Sequence, residues 1–386
     1  MVSNKEKIML NKVPAITIFF WIIKVLCTTV GETFSDFLNV NLGFGLTGTS
    51  IVMGIVLVIA LIVQFAYNRY VPWIYWLNVV LISVFGTLLT DNLTDNMGVP
   101  LQYSTIFFSV CLVLVFIFWY ISEKTLSIHS IYTRKREAFY WLAILFTFAL
   151  GTATGDLVAE GLAFGYFTTG LIVIGIVVMI AILQFIGLNS ILSFWIIYIM
   201  TRPLGASIGD YLSQPIANGG LGLGATITSV IFLLAILITI AFLTMSKKDL
   251  LPASNQSVEE NQKGGLWQTI IVVGLMICAS VVGYHVRSAN LSVEASFTWT
   301  DLSSFKTIEQ DVLVLVEKGD LAGAKVRVKD LETEWDAAQA FLKPTDKARW
   351  TEIDGSIDAV LRALRSANPT QAESKAALEA SLKHLQ

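Results

Sequence analysis

Four stretches of the chain end a long apolar run on a carboxylate: "FWIIKVLCTTVGETFSD", "YWLNVVLISVFGTLLTD", "YWLAILFTFALGTATGD" and "FWIIYIMTRPLGASIGD". Each begins with an aromatic residue and Trp, then places Gly ten and Asp fifteen residues after that Trp. The sets are Trp21, Gly31 and Asp36; Trp76, Gly86 and Asp91; Trp141, Gly151 and Asp156; Trp195, Gly205 and Asp210. At average usage of Gly and Asp, a Trp meets both conditions by chance about once in 300. Four of the ten Trp meet them, so the pattern is an internal repeat.

A carboxylate at the middle of a bilayer costs about 2.5 to 3.5 kcal/mol, and four unpaired ones would subtract about 10 to 14 kcal/mol, more than the net stability of many domains. Such residues persist only if hydrated, protonated, paired or bound to a cation. Glu32 precedes Asp36 by four residues, Asp95 follows Asp91 by four, and Glu160 follows Asp156 by four. On a helix such pairs share a face, so their oxygens converge. Gln214 holds the matching place in the fourth unit, and Thr28, Thr29, Thr33, Ser35, Thr87, Thr90, Thr94, Thr152, Thr154 and Ser207 crowd the same turns. Oxygen-only surroundings suit hard cations (protons, sodium, magnesium, calcium or manganese), whereas copper or zinc would call for Cys and His. Each Asp also falls near a helix C-terminus, where the dipole disfavours an unpaired anion and favours a bound cation. The expected ion-binding or pathway residues are Asp36, Asp91, Asp156 and Asp210, assisted by Glu32, Asp95 and Glu160. No resident cofactor is evident beyond a bound divalent cation, whose identity stays open.

A second reading stands beside this one. Each Asp comes about 22 residues into its run, about 33 Å along a helix and near the outer edge of the hydrocarbon core. There a solvated Asp, or a network of Asp, Thr and backbone, also accounts for it. The four-fold placement, and following turns free of Lys and Arg, favour the ion or proton site. Lys24 and Arg202 also lie inside apolar runs. Either they pair with a buried carboxylate, or they are tethered cations that guard the path. Trp21, Trp76, Trp141 and Trp195 are expected to pack the bundle, and Gly31, Gly86, Gly151 and Gly205 to let helices approach closely.

The elements that must position these residues follow from composition. Hydrophobic residues make up 55% and charged residues 14% of the chain, with a mean hydropathy of +0.68, which points to a polytopic membrane protein set in a lipid bilayer. Nine membrane spans are expected, near residues 14–37, 46–67, 72–94, 102–122, 137–159, 167–187, 189–211, 223–244 and 266–286. Lys5, Lys7 and Lys12 precede the first; Arg69, Lys124, Arg134, Lys135, Arg136, Lys247, Lys248 and Lys263 fall in alternate loops. The positive-inside rule then puts the N-terminus in the cytoplasm and the C-terminus outside. No cleavable signal peptide is expected, since the N-terminal residues lead straight into a full-length span. Cys27, Cys111 and Cys278 fall within spans and offer no disulfide framework.

With two spans per unit, all four units run in the same sense, around an axis along the membrane normal. On the four Trp with their Gly and Asp partners, over about residues 12 to 243, the sequence resembles a bacterial family of membrane-anchored proteins with four tandem copies of a two-helix repeat of unknown function. The resemblance implies an architecture and no settled activity.

The organisation read from these features is a cytoplasmic N-terminus (1–12), repeats one and two (13–122), a cytoplasmic linker (123–136), repeats three and four (137–245), a second cytoplasmic linker (246–265), a ninth transmembrane helix (266–287) and a small extracytoplasmic helical domain (288–386). That last domain carries 12 Lys or Arg against 16 Asp or Glu, a net −4. It is expected to form three or four amphipathic helices, capped at Asp320, Thr345 and Thr370 and broken at Pro344 and Pro369, with apolar stripes at Leu331, Trp335, Ala338, Phe341 and Leu342 and at Trp350, Ile353, Ile357, Val360, Leu361 and Leu364. With three His and no nucleophile elbow or phosphate loop, the chain reads as neither an enzyme nor a nucleic-acid binder. Transport of a hard cation through the acidic site is the expected function. The alternative is a non-transporting anchor or sensor whose C-terminal domain binds an envelope protein.

Overall fold

The computed structural model describes residues 11–38, 45–214, 220–249, 265–294, 299–343, 345–366 and 369–385. The expected features at 1–10, the repeat turns at 39–44 and 215–219, the linker residues 250–264 and the break at Pro344 lie outside them. All regular structure among the described residues is helical. The chain divides into two compact units, residues 1–159 with 164–280, and residues 160–163 with 281–386.

The first unit is built from α1 (Ile18–Asp36), α2 (Gly45–Ala66), α3 (Pro72–Asp91), α4 (Leu101–Glu123), α5 (Arg134–Asp156), α6 (Gly165–Ile186), α7 (Ser190–Ser213) and α8 (Ala225–Ser246). A further helix, α9 (Gly265–Glu294), follows. Among the described residues these nine helices are long and apolar enough to cross a membrane. The first helix of each repeat starts on a local signal. Thr17 accepts from the Phe20 amide, Pro72 stands at the first position of α3, Thr133 accepts from the Arg136 amide, and Asn189 accepts from the amides of Ile191 and Leu192. The three side-chain caps satisfy amides that have no partner within the helix, and Pro72 has no amide to satisfy. α1 starts four residues later than expected because Pro14 to Ile16 remain non-helical up to the extended Thr17 cap.

Burial sorts the eight repeat helices into two classes. In the most apolar stretch of α1, α3, α5 and α7, 56 to 72% of residues are buried; in α2, α4, α6 and α8 only 22 to 28% are. The four buried helices pack as a ring in the order α1, α3, α5, α7 and back to α1. Each outer helix lies chiefly on the inner helix of the following repeat: α2 on α3, α4 on α5, α6 on α7, and α8 on α1. The last repeat therefore closes onto the first, and no inner helix lacks a cover. Such an arrangement buries one face of each outer helix and leaves Ile, Val, Leu and Phe on the other exposed.

The second unit contains α10 (Ser303–Glu317), α11 (Leu321–Leu342), α12 (Lys347–Arg365) and α13 (Gln371–His384). Both expected stripes enter its core except for Phe341, which is only partly buried, and the Trp335 and Trp350 rings stack there with centroids 4.1 Å apart. Asp320 and Thr370 cap as expected. The cap of α12 is Asp346 rather than Thr345, because the Thr345 hydroxyl is turned back onto the Leu342 carbonyl.

Candidate functional site

The repeated residues build the ring itself. A side-chain carbon at Gly31 would lie 1.8 Å from Ser83 Oγ; at Gly86, 2.8 Å from Phe148 Cβ; at Gly151, 2.5 Å from Arg202 Cβ; at Gly205, 2.0 Å from Thr28 Oγ1. Each motif glycine thus receives the residue three positions before the motif glycine of the next repeat, and the cycle closes from α7 to α1. Absent side chains are what let the four backbones come this near.

Toward the N-terminal ends of the same helices, the motif aromatics close a second ring. Phe20 lies against Trp76 with centroids 5.6 Å apart, Tyr75 against Trp141 at 5.4 Å, Tyr140 against Trp195 at 6.3 Å, and Phe194 against Trp21 at 5.6 Å. Trp76, Trp141 and Trp195 are buried, while Trp21 is partly exposed.

Between the aromatic ring and the motif acids sit the two basic residues, both buried. α1 faces α5 across the ring, and α3 faces α7. Lys24 reaches across from α1, with Nζ 3.8 Å from the Phe148 ring centroid and 4.1 Å from that of Tyr198. Its ammonium has no hydrogen-bond partner among the described residues; aromatic faces surround it where pairing with a carboxylate was one of the two expectations. Arg202 reaches across from α7, donating to Glu32 Oε2 at 2.6 Å, to the Thr28 carbonyl at 3.3 Å and, on α3, to Thr87 Oγ1. One carboxylate is thereby tied to one of two tethered cations.

The motif acids gather at the other end. α1, α3 and α5 end on Asp36, Asp91 and Asp156, and Asp210 is buried in the last turn of α7. After Asp91 and Asp156 the chain continues into π-helical turns, Asn92–Asn96 and Leu157–Gly161, which hold Asp95 and Glu160. Turns of this kind recur at functional sites because the wider coil re-aims side chains. Asp91 interacts electrostatically with Asp95, Glu32, Asp156 and Asp36, so acids of three repeats share one region. Among the described residues no three of His, Cys, Asp and Glu stand close enough together to hold a metal ion. The hydroxyls around them are largely engaged with backbone. Thr90 Oγ1 donates to the Ala149 carbonyl at 3.0 Å, Thr28 Oγ1 to that of Thr201 at 3.1 Å, and Thr87 Oγ1 to that of Gly31 at 3.4 Å, each bridging neighbouring inner helices.

Sequence reasoning missed a further polar group, at the N-terminal end of the ring. Lys12, Gln64 and Glu137 are buried together there, with Gln64 Nε2 donating to Glu137 Oε1 at 3.0 Å and Lys12 Nζ to Glu137 Oε2. Lys12 had registered only as a loop charge; its partner lies 125 residues away and outside the repeated motif.

Neither a curated protein nor a solved structure matches the chain. The family described as a repeat of unknown function, DUF347, matches four times in tandem, at residues 19–70, 74–125, 139–186 and 193–249. Each match pairs an inner helix with its outer helix, the unit from which the ring is assembled. With over half its length in these four copies, the chain belongs to the DUF347 family.

Proposed function

We propose that the four-repeat ring conducts or carries a hard cation, a divalent metal such as manganese or a proton-coupled ion, which enters at the acidic end. The observation that carries this reading is that three neighbouring inner helices end on Asp36, Asp91 and Asp156, with Asp36, Asp95, Asp156 and Glu32 all near enough to act electrostatically on Asp91. Acids of three repeats attract a cation jointly where one acid attracts it weakly. The two tethered cations add support. Lys24 and Arg202 cross the axis between the acids and the aromatic ring, and an interior that holds the charge of Arg202 tolerates positive charge along that axis. The distribution of Lys and Arg favours insertion in a bacterial inner membrane with the N-terminus in the cytoplasm, which puts the motif acids on the extracytoplasmic side. Lipid and an inorganic cation are then its partners, and no residue is assigned a catalytic role.

The closed aromatic and glycine rings favour a second reading. They account for the repeated Trp and Gly by packing alone, as a non-transporting anchor would, with the four-helix C-terminal unit left to bind an envelope protein.

Uptake of manganese, magnesium, calcium and protons into liposomes containing the purified protein separates the two, beside an Asp91→Asn/Asp156→Asn variant. Flux in the native protein that vanishes in the variant is expected. Absence of flux in both, with unfolding curves unchanged, would overturn the transport reading.

A further inference from the structure

The buried group at the N-terminal end of the ring is more than a structural ion pair. Residues 11 to 14 are non-helical yet buried, and they are strapped across the inner helices by bonds to three separate parts of the chain. The Lys12 amide donates to the Ile131 carbonyl at 3.0 Å, the Tyr70 amide to the Asn11 carbonyl at 3.2 Å, and the Ala15 amide to the Asp249 carbonyl at 2.8 Å. From this strap the Lys12 side chain enters the bundle and ends on Glu137, the fourth residue of α5 and at the opposite end of that helix from Asp156. Lys12 and Glu137 are each 1% exposed, as is Gln64.

Two observations say that the pair is not there for stability alone. Taking two charges out of water costs nearly what their attraction returns, and apolar residues of similar volume commonly hold a buried site as well or better. Moreover, the site is not saturated by its occupant. Gln64 donates its amide nitrogen to Glu137, while its Oε1 is buried without a hydrogen-bond partner. A carboxylate and an unused amide oxygen, closed off from water and occupied by an ammonium on a non-helical segment, are ligands for a hard cation with a tethered cation in their place.

The geometry points to Glu137 and Gln64 as a second cation site, at the end of the ring opposite the motif acids, which the Lys12 ammonium plugs when the N-terminal strap is docked. It rests on the reading of the ring as a cation path, and it identifies where that path is shut. A cation arriving from the acidic end displaces Lys12 and releases the strap; without one, Lys12 keeps Glu137 neutralised and the end sealed.

The test is thermal unfolding of the full chain in lipid nanodiscs, at constant ionic strength, with and without manganese, magnesium or sodium. Lys12→Ala empties the place of the ammonium, and Lys12→Ala/Glu137→Gln removes the carboxylate as well. Lys12→Ala is expected to gain a cation-dependent rise in midpoint of about 5 °C over any rise in the native protein, and the double variant to lose that gain. An equal cation response in Lys12→Ala and the native protein, or a Lys12→Ala chain that stays unfolded in every cation while the double variant folds, would overturn the site. The transport reading is judged separately by flux through the Asp91→Asn/Asp156→Asn variant, so the failure of either is recognised without the other.

Discussion

Two layers of the same ring, about one helical turn apart, obey different rules. At the motif glycines all four repeats carry the same residue and make the same contact with the next repeat. Three residues earlier the equivalent positions read Thr28, Ser83, Phe148 and Arg202; seven residues earlier they read Lys24, Val79, Ile144 and Tyr198. One residue after the glycines stand Glu32, Thr87, Thr152 and Ala206. The charges that cross the axis are drawn from these unlike sets, and each appears once. Packing a closed ring demands the same small surface at every seam. A buried charge reaching across the axis is needed once, and four copies of it would repel one another. In these layers repetition marks the packing seams, and departure from it marks the basic residues that reach across the axis, while the repeated acids stand apart at the ends of the helices.

The largest effect should come from breaking the repeated layer. In Gly205→Val the new carbon would fall 2.0 Å from Thr28 Oγ1 and 2.9 Å from the Thr28 backbone carbon. Overpacking against backbone has no cheap relief, and loss of a monodisperse folded species on size exclusion is expected. Gly175→Ala, with nothing within 4 Å of its new carbon, should leave unfolding within about 0.5 kcal/mol of the native protein. If both variants fold alike, the glycines do not set the seams.

Next in size is the single ion pair of the unrepeated layer. Arg202→Met leaves Glu32 buried without its cation, which should cost about 3 to 5 kcal/mol, while Arg202→Met/Glu32→Gln should recover most of that. Chemical denaturation read by tryptophan fluorescence gives both numbers. A double variant as unstable as the single one would make Arg202 a packing residue of the α7 seam, where its Cβ covers Gly151.

How much of this was legible in the sequence follows from the same contrast. The motif Trp, Gly and Asp recur at one spacing, so the repeat, the helices and the position of the acids near the ends of the inner helices could be read. Which helix covers which could not. A two-helix period is equally consistent with α2 packing on α1, and only the three-dimensional closure places α2 on α3 and α8 on α1. For Arg202 the sequence leaves a carboxylate partner as one of two readings and names no partner, because 170 residues separate it from Glu32. Lys12, Gln64 and Glu137 were invisible for a further reason: each is an ordinary residue at a helix end or in a loop, and only the fold brings them together.

The C-terminal unit has no repeat to measure against, and it buries a carboxylate differently. Glu309 is fully buried in α10, where Ser381 Oγ donates to its Oε1 at 2.6 Å and Oε2 has no partner. Burial pushes its carboxyl up to about 7, against a small opposing effect of the Ser381 bond. The folded form then holds a proton that the unfolded chain has already lost at about pH 4.5. Stability of this unit is greatest below that pH, falls as pH rises toward 7, and is level above it, a total of up to about 3 kcal/mol. Hydrogen exchange of α10 in the full chain, corrected for intrinsic rates, should follow that curve, and Glu309→Gln should flatten it. A curve that persists in Glu309→Gln assigns the titration to another group.

Lys24→Met should have the smallest effect on stability, and it bears most directly on the contrast between layers. Its ammonium has no hydrogen bond to lose, only the faces of Phe148 and Tyr198. A cation held by π-faces gains about 2 kcal/mol when desolvated. Against that stand the removal of a buried charge and the contact of a thioether with the same two rings, worth about 0.3 to 1.5 kcal/mol. The terms nearly cancel, so unfolding should shift by no more than about 1 kcal/mol in either direction. A shift of several kcal/mol downward would make Lys24 one more structural contact, and departure from the repeat would cease to distinguish contents from frame. With stability unchanged, any alteration of cation flux in the same variant belongs to the charge itself, because the methionine occupies nearly the same volume between the same rings.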